Sequence, residues 1–125
     1  LNGKWICFND IYIYNCIKNV WNKIECKKKP YPRCYHSMCI VNDNLIIHGG
    51  LDVNQKTLKD MYSISIINVI NNENPIWIKK RNDIGPLDSH LMISDDDKVY
   101  CFGGDKLFKK GNMSINNNLL VFDLK

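Results

Sequence analysis

The strongest constraint on the fold of this chain is an internal repeat. The segment from His36 to Gly50 and the segment from His90 to Gly104 share one layout. Each opens on a histidine and runs through apolar residues into an Asn/Asp cluster, Asn42-Asp43-Asn44 or Asp95-Asp96-Asp97. Each then ends in a second apolar stretch closed by a glycine pair, Gly49-Gly50 or Gly103-Gly104. Histidines and glycines recur at a spacing of 54 positions, and Trp21 and Trp77 at 56. A third landmark is an acidic or amide residue before alternating apolar ones, at Asp10, Asp60 and Asn118. Landmarks that recur in one order define a repeating unit of about 50 residues, the scale of solenoids and propellers.

The unit is built of strands. Residues 35–41 and 45–48 are apolar and rich in β-branched side chains, which favours a pleated, half-buried surface. The Asn/Asp clusters between them tolerate positive φ and bond their own backbone, so they read as hairpin turns. A glycine pair closing a strand allows backbone angles shut to other residues and lets a neighbour approach closely. No segment keeps a 3.6-residue apolar period, so no helix is predicted. Residues 68–75 and 106–117 read as long loops.

With these residues in place, the chain resembles kelch repeats. One copy of the family's pattern reads Pro32-Arg33 with His36-Ser37, then Leu45 to Gly50, then Asp60-Met61-Tyr62 and Trp77. A second reads Gly85-Pro86 with His90, then Val99 to Gly104, then Asn118 to Asp123, and a truncated one keeps Asp10, Tyr14 and Trp21. The second copy departs from the pattern where Leu87 stands in place of an arginine. The resemblance implies an all-β fold: kelch-type β-propeller blades of four antiparallel strands in an incomplete ring. The expected division is residues 1–26 as the last two strands of one blade, 27–82 as a complete blade, and 83–125 as the first three strands of another. Two and a half blades cannot close a ring of ~4–8. The chain also begins at Leu1 with no apolar leader, so it is expected to be a piece of a longer protein.

The other residue types exclude more than they suggest. Six cysteines are present, but none forms a Cys-x-x-Cys pair. Cys34 and Cys39 would point to opposite faces of a strand. Unpaired thiols binding no metal are therefore expected. Asp95-Asp96-Asp97 lacks the glycine and distal glutamate of a calcium loop. No Ser, Cys or carboxylate recurs with His36 and His90 in a nucleophile–base arrangement. Both histidines read as structural, bonding between strands or blades, and no catalytic residue or cofactor is expected. Trp21 and Trp77 read as indoles wedged between blades, where each can bury ~150–250 Å². With Gly49, Gly50, Gly103 and Gly104 they complete the structural motif. No apolar run approaches the ~20 residues that span a bilayer.

The net charge of +4 conceals a polarity. In an antiparallel blade, alternate loops gather at alternate ends. Lys27, Lys28, Lys29, Arg33, Lys106, Lys109 and Lys110 fall at one end, and Asp43, Glu73 and Asp95 to Asp97 at the other. The first group is the expected partner-binding set, suited to an acidic or phosphorylated segment because lysines act as point charges on flexible stems. No aromatic residue interleaves Lys27 to Lys29 to stack on bases, which disfavours nucleic acid. The resemblance implies a protein–protein interaction module, a scaffold or substrate-recognition domain, cytoplasmic or nuclear and not membrane-bound. Its alternative is the regulatory propeller of a larger enzyme, such as a serine/threonine phosphatase, with catalysis elsewhere.

Overall fold

The computed structural model describes residues 5–107 and 113–124. Eleven strands are described, and all their ladders are antiparallel. The hairpin β1 (Ile11–Asn15) and β2 (Val20–Ile24) forms a first sheet. A four-stranded meander follows: β3 (Ser37–Val41), β4 (Asn44–His48), β5 (Met61–Ser65) and β6 (Ile78–Lys80). A third sheet joins β7 (Leu91–Asp95), β8 (Lys98–Phe102) and β11 (Leu120–Asp123). Between β8 and β11 a small hairpin inserts, β9 (Asp105–Leu107) with β10 (Met113–Ile115). The blade-like fold expected from the repeat is thus the fold observed, nearly all-β, and among the described residues no barrel closes.

Alternation along β4 and β5 explains how the sheets stack. Ile46 and Met61 point into one core with Leu87 of the β6–β7 connection and with Met92, Val99 and Cys101 of the third sheet. Ile47 and Ile64 point the other way, into a second core with Ile24 and Trp77. The middle sheet is thereby sandwiched, and its β4 strand reads as a continuous apolar run rather than as alternation. At ~25 cal/mol per Å², such two-sided burial is the main term holding neighbouring blades together. Cover is not complete: Leu91, Ile93, Phe102 and Val121 lie exposed on the far face of the third sheet, and Met38 and Ile40 on β3, at the margin of the face turned to the first hairpin.

Turn chemistry follows the sequence. Asn42 and Asp43 both take positive φ, 44° and 59°, which gives the primed turn that a two-residue hairpin needs. The β1–β2 turn is organised by Asn15, whose Oδ1 accepts from the amides of Ile17 (3.0 Å) and Lys18 (2.9 Å).

Two expectations are corrected. A short helix, α1 (Ile66–Asn71), occupies part of the segment read as a loop. Ser65 caps it by accepting from the Asn68 amide, Asn72 ends it in the left-handed conformation at φ 55°, and Val69 anchors it in the second core. Six residues with Ile66, Ile67, Val69 and Ile70 show no helical period and favour strand by propensity; the cap and the burial of Val69 decide. The segment read as a second loop contains the β9–β10 hairpin. Trp21 lies on the face of the first hairpin turned away from the middle sheet, 68 % exposed, and packs on Tyr14, its cross-strand partner, with ring centroids 5.0 Å apart. Trp77, at 4 % exposure, is buried as expected.

Candidate functional site

The connections β2–β3, β4–β5, β6–β7 and β8–β11 gather at one end of the sheets, knitted by backbone bonds. The Cys34 amide donates to Leu51 (3.0 Å) and the Leu51 amide donates back to Cys34 (2.8 Å). The Gly50 amide donates to Leu87 (2.8 Å), and Asp88 and Asp105 exchange bonds of 3.1 and 2.9 Å. Here the glycine pair does its work. A Cβ on Gly49 would sit 2.1 Å from the Leu87 carbonyl oxygen, and one on Gly50 2.5 Å from that of Cys34. The chain entering the third sheet lies directly on this junction. On Gly104 a Cβ would meet Asp88 O at 2.4 Å, whereas Gly103 stands in open space.

Side chains complete the scaffold. Arg33 is buried and grips Asp60 in a fork, Nη1 to Oδ1 at 2.7 Å and Nη2 to Oδ2 at 3.1 Å, while donating to Gly49 O at 2.9 Å. Its guanidinium lies 5.7 Å from the Tyr62 ring centroid. Thr57 Oγ1 donates to Asp88 at 3.2 Å, tying the β4–β5 and β6–β7 connections together. His90 reaches His48, with Nε2 and Nδ1 3.1 Å apart. Burial lowers both imidazoles to about 4, so they stay neutral at physiological pH. His48 Nε2 and His90 Nδ1 find no partner. His36 lies by the same junction; its Cβ would be 3.0 Å from a Cβ on Gly50.

Above this scaffold lies an open groove of about 1000 Å³. It runs between the β4–β5 connection and the end of β6, and is flanked by Lys56, Lys59, Lys79, Lys80 and Arg81. Asp60 is held by Arg33, so its charge is already matched, and Asp83 is the other acid at the rim. Lys79 also lies over the Tyr62 ring, 5.9 Å from its centroid. The groove concentrates positive charge at an exposed site, which attracts anionic partners and accelerates their encounter.

The partner-binding set expected from sequence is only partly on this surface. Lys27 and Lys28 are exposed, but Lys27 is bonded to Pro75 (2.9 Å) and Trp77 (3.0 Å) at the entry to β6, while the groove lies at its exit. Lys29 is paired with Glu25 at 3.3 Å. Lys106 lies half-buried on β9. Arg33 is spent on Asp60 and Gly49 and presents nothing to a partner. Lys109 and Lys110 lie outside the described residues. The cations lining the groove were not in that set: only the pairing of β5 with β6, Met61 opposite Lys80 and Tyr62 opposite Lys79, sets them across one cleft. Among the described residues no cluster of three metal-ligating side chains occurs, and no helix is long and apolar enough to cross a membrane.

Comparison with known proteins agrees with this architecture. Residues 2–125 match the family model of the KLHDC2/KLHL20/DRC7 Kelch-repeats domain. "Kelch repeat-containing protein 2" of Saccharomyces cerevisiae is 29 % identical over 118 residues, covering 88 % of this chain and 13 % of that protein. "Adagio-like protein 3" of Oryza sativa subsp. japonica is 23 % identical over 133 residues, covering 94 % of this chain and 20 % of that protein. "Protein ral2" of Schizosaccharomyces pombe is 32 % identical over 79 residues, covering 62 % and 12 %. The chain spans a fifth or less of the length of these relatives.

Proposed function

Because this chain belongs to the kelch-repeat family, we propose that it is part of a protein-binding propeller whose basic loop end receives an acidic or phosphorylated segment of another protein. The role is that of a scaffold or substrate-recognition surface, and it needs no catalytic group. One observation carries the reading: Lys56, Lys59, Lys79, Lys80 and Arg81 border one open groove while its nearest acid, Asp60, is neutralised by Arg33. Exposed lysines contribute ~0.2–1 kcal/mol each in single contacts. Several together raise association rates and make binding fall steeply with salt. Lys27 and Lys28 stand apart from the groove, Lys27 being bonded to Pro75 and Trp77 at the entry to β6, and act on a partner that reaches beyond it.

The experiment is a fluorescence-anisotropy titration of the full-length protein with labelled glutamate-rich and phosphoserine peptides at two salt concentrations, and a single-stranded oligonucleotide as competitor. Changing Lys79, Lys80 and Arg81 to Ser should weaken peptide binding about tenfold and flatten its salt dependence. Changing Lys27, Lys28 and Lys29 to Ser should act in the same direction. Unchanged affinity and salt slope in both variants would reduce this end to a solvated surface. Tighter binding of the oligonucleotide than of either peptide would replace the proposed partner with nucleic acid.

A further inference from the structure

Cys7 and Cys34 meet although 27 positions separate them, with Sγ atoms 3.8 Å apart. The placement comes from backbone pairing. Phe8 and Arg33 form an antiparallel bridge, and the Arg33 amide donates to Phe8 O at 3.1 Å. One step along the ladder, Cys7 falls opposite Cys34 at the non-hydrogen-bonded position. Such pairs carry Cα atoms about 4.5 Å apart and bring side chains closest together. That spacing lies within the range a disulfide spans. Both sulfurs also lie near Leu51 O, at 4.0 and 3.8 Å, so they share one half-buried site at the loop end. The other cysteines differ. Cys101 is buried in the core between the second and third sheets with Cys39 half-buried against it, Cys26 is half-buried beside Ile24 O, and Cys16 is exposed on the first hairpin.

We propose that Cys7 and Cys34 are a reversible redox pair, reduced at rest and closed to a disulfide by hydrogen peroxide. One thiolate attacks a peroxide oxygen; the O–O bond breaks, and the departing hydroxide takes up a proton to leave as water. The resulting sulfenic acid is attacked at sulfur by the second thiolate. The S–O bond breaks, hydroxide again leaves as water, and the S–S bond forms. Two thiols are oxidised by two electrons and one peroxide is reduced to two waters, the ordinary course from sulfenic acid to disulfide. Forming the bond requires the sulfurs to close from 3.8 Å to about 2.05 Å, a side-chain adjustment within a fixed ladder. The bond encloses residues 8–33, the stretch that contains the β1–β2 hairpin, and would fasten that hairpin to the middle sheet. Burial holds the Cys34 thiol above its ordinary value, with the neighbouring Cys7 adding to the shift. Closure should therefore quicken as pH rises through the thiol range.

The test uses the full-length protein, first reduced, then treated with hydrogen peroxide under native conditions, alkylated and digested for mass spectrometry. The expected product is a Cys7–Cys34 linked peptide pair, 2 Da lighter than the sum of the two free-thiol peptides, reversed by dithiothreitol. It should survive Cys16→Ser and disappear in both Cys7→Ser and Cys34→Ser. The oxidised protein should melt several degrees higher than the reduced one. A product linking other cysteines, or Cys7 and Cys34 recovered as free thiols or sulfinic acids, would overturn the proposal.

Discussion

His48 Nδ1 lies 3.1 Å from His90 Nε2 across the junction of two sheets, with both rings almost fully buried and held edge to face. One nitrogen of the contact must donate and the other accept, so at least one ring is neutral by geometry. Burial keeps both neutral, at about 4. His90 feels His48 and His36, while His48 has Asp60 and Arg33 within electrostatic reach. In the unfolded chain each imidazole titrates near 6.5. Between these values the unfolded state binds the extra protons, so stability is full above about pH 6.5 and falls as pH drops toward 4. The slope should approach about 1.4 kcal/mol per pH unit for each histidine. Urea unfolding at pH 7, 6 and 5 reads it. His48→Gln with His90→Gln should flatten the profile over this window, and an equally steep profile in that double variant would contradict the assignment.

The glycine pairs make a prediction with an internal control. Gly49→Ala places a Cβ 2.1 Å from Leu87 O at φ 67°, whereas Gly103→Ala meets nothing within 4 Å at φ 72°. The second change should cost only the left-handed penalty, about 1–2 kcal/mol. The first adds displacement of the entering backbone and should cost at least twice as much. Equal losses in denaturant midpoint would mean that the close approach at Gly49 is not made.

Arg33 and Asp60 are a buried, forked ion pair with Gly49 O as a third partner. Removing one member strands a charge, which typically costs 3–5 kcal/mol. Arg33→Ala should therefore unfold the loop end more readily than any groove lysine change. Arg33→Lys should recover only part of the loss, because an ammonium cannot hold both carboxylate oxygens in one plane. Full stability in Arg33→Ala, measured by thermal melting, would show that the pair contributes nothing.

Thiol reactivity should follow burial. Cys39 is pushed up to about 11 and Cys101 to about 12, both by desolvation. In native protein not exposed to oxidant, iodoacetamide at pH 7.5 should label exposed Cys16 first and Cys101 last. After denaturation without reductant all six thiols should titrate, and fewer would reveal a standing disulfide or metal.

Repeat, strand pairing and blade stacking were legible because each rests on a local signal. The Asn42-Asp43 turn, the alternation in β5 and the glycine pairs all act within a few residues, and their recurrence multiplies them. What was not legible depends on register between distant segments. Nothing near Cys7 announces Cys34, and nothing at His48 points to His90. In sequence Arg33 counts as a free cation because it falls in a connection at the basic end, whereas burial beside Asp60 turns it into scaffold. Lys79, Lys80 and Arg81 gained significance only once β6 was laid beside β5, across from Lys56 and Lys59. The helix α1 was hidden by a β-branched sequence that favours strand until Val69 finds its core.

The central claim is that successive blades pack through the glycine junction, with the middle sheet buried on both faces. Nuclear Overhauser spectroscopy on isotope-labelled protein tests it most directly. A Gly49 Hα contact to the His90 Hε1 proton is expected, because a Cβ on Gly49 would lie 3.1 Å from His90 Cε1. Methyl contacts should also join Ile46 to the Met92–Val99 core and Ile47 to Ile24 and Trp77. Observing Ile46 and Ile47 in these two separate cores would match the account. Finding both side chains in one cluster, or no contact between Gly49 and His90 in the folded protein, would contradict it.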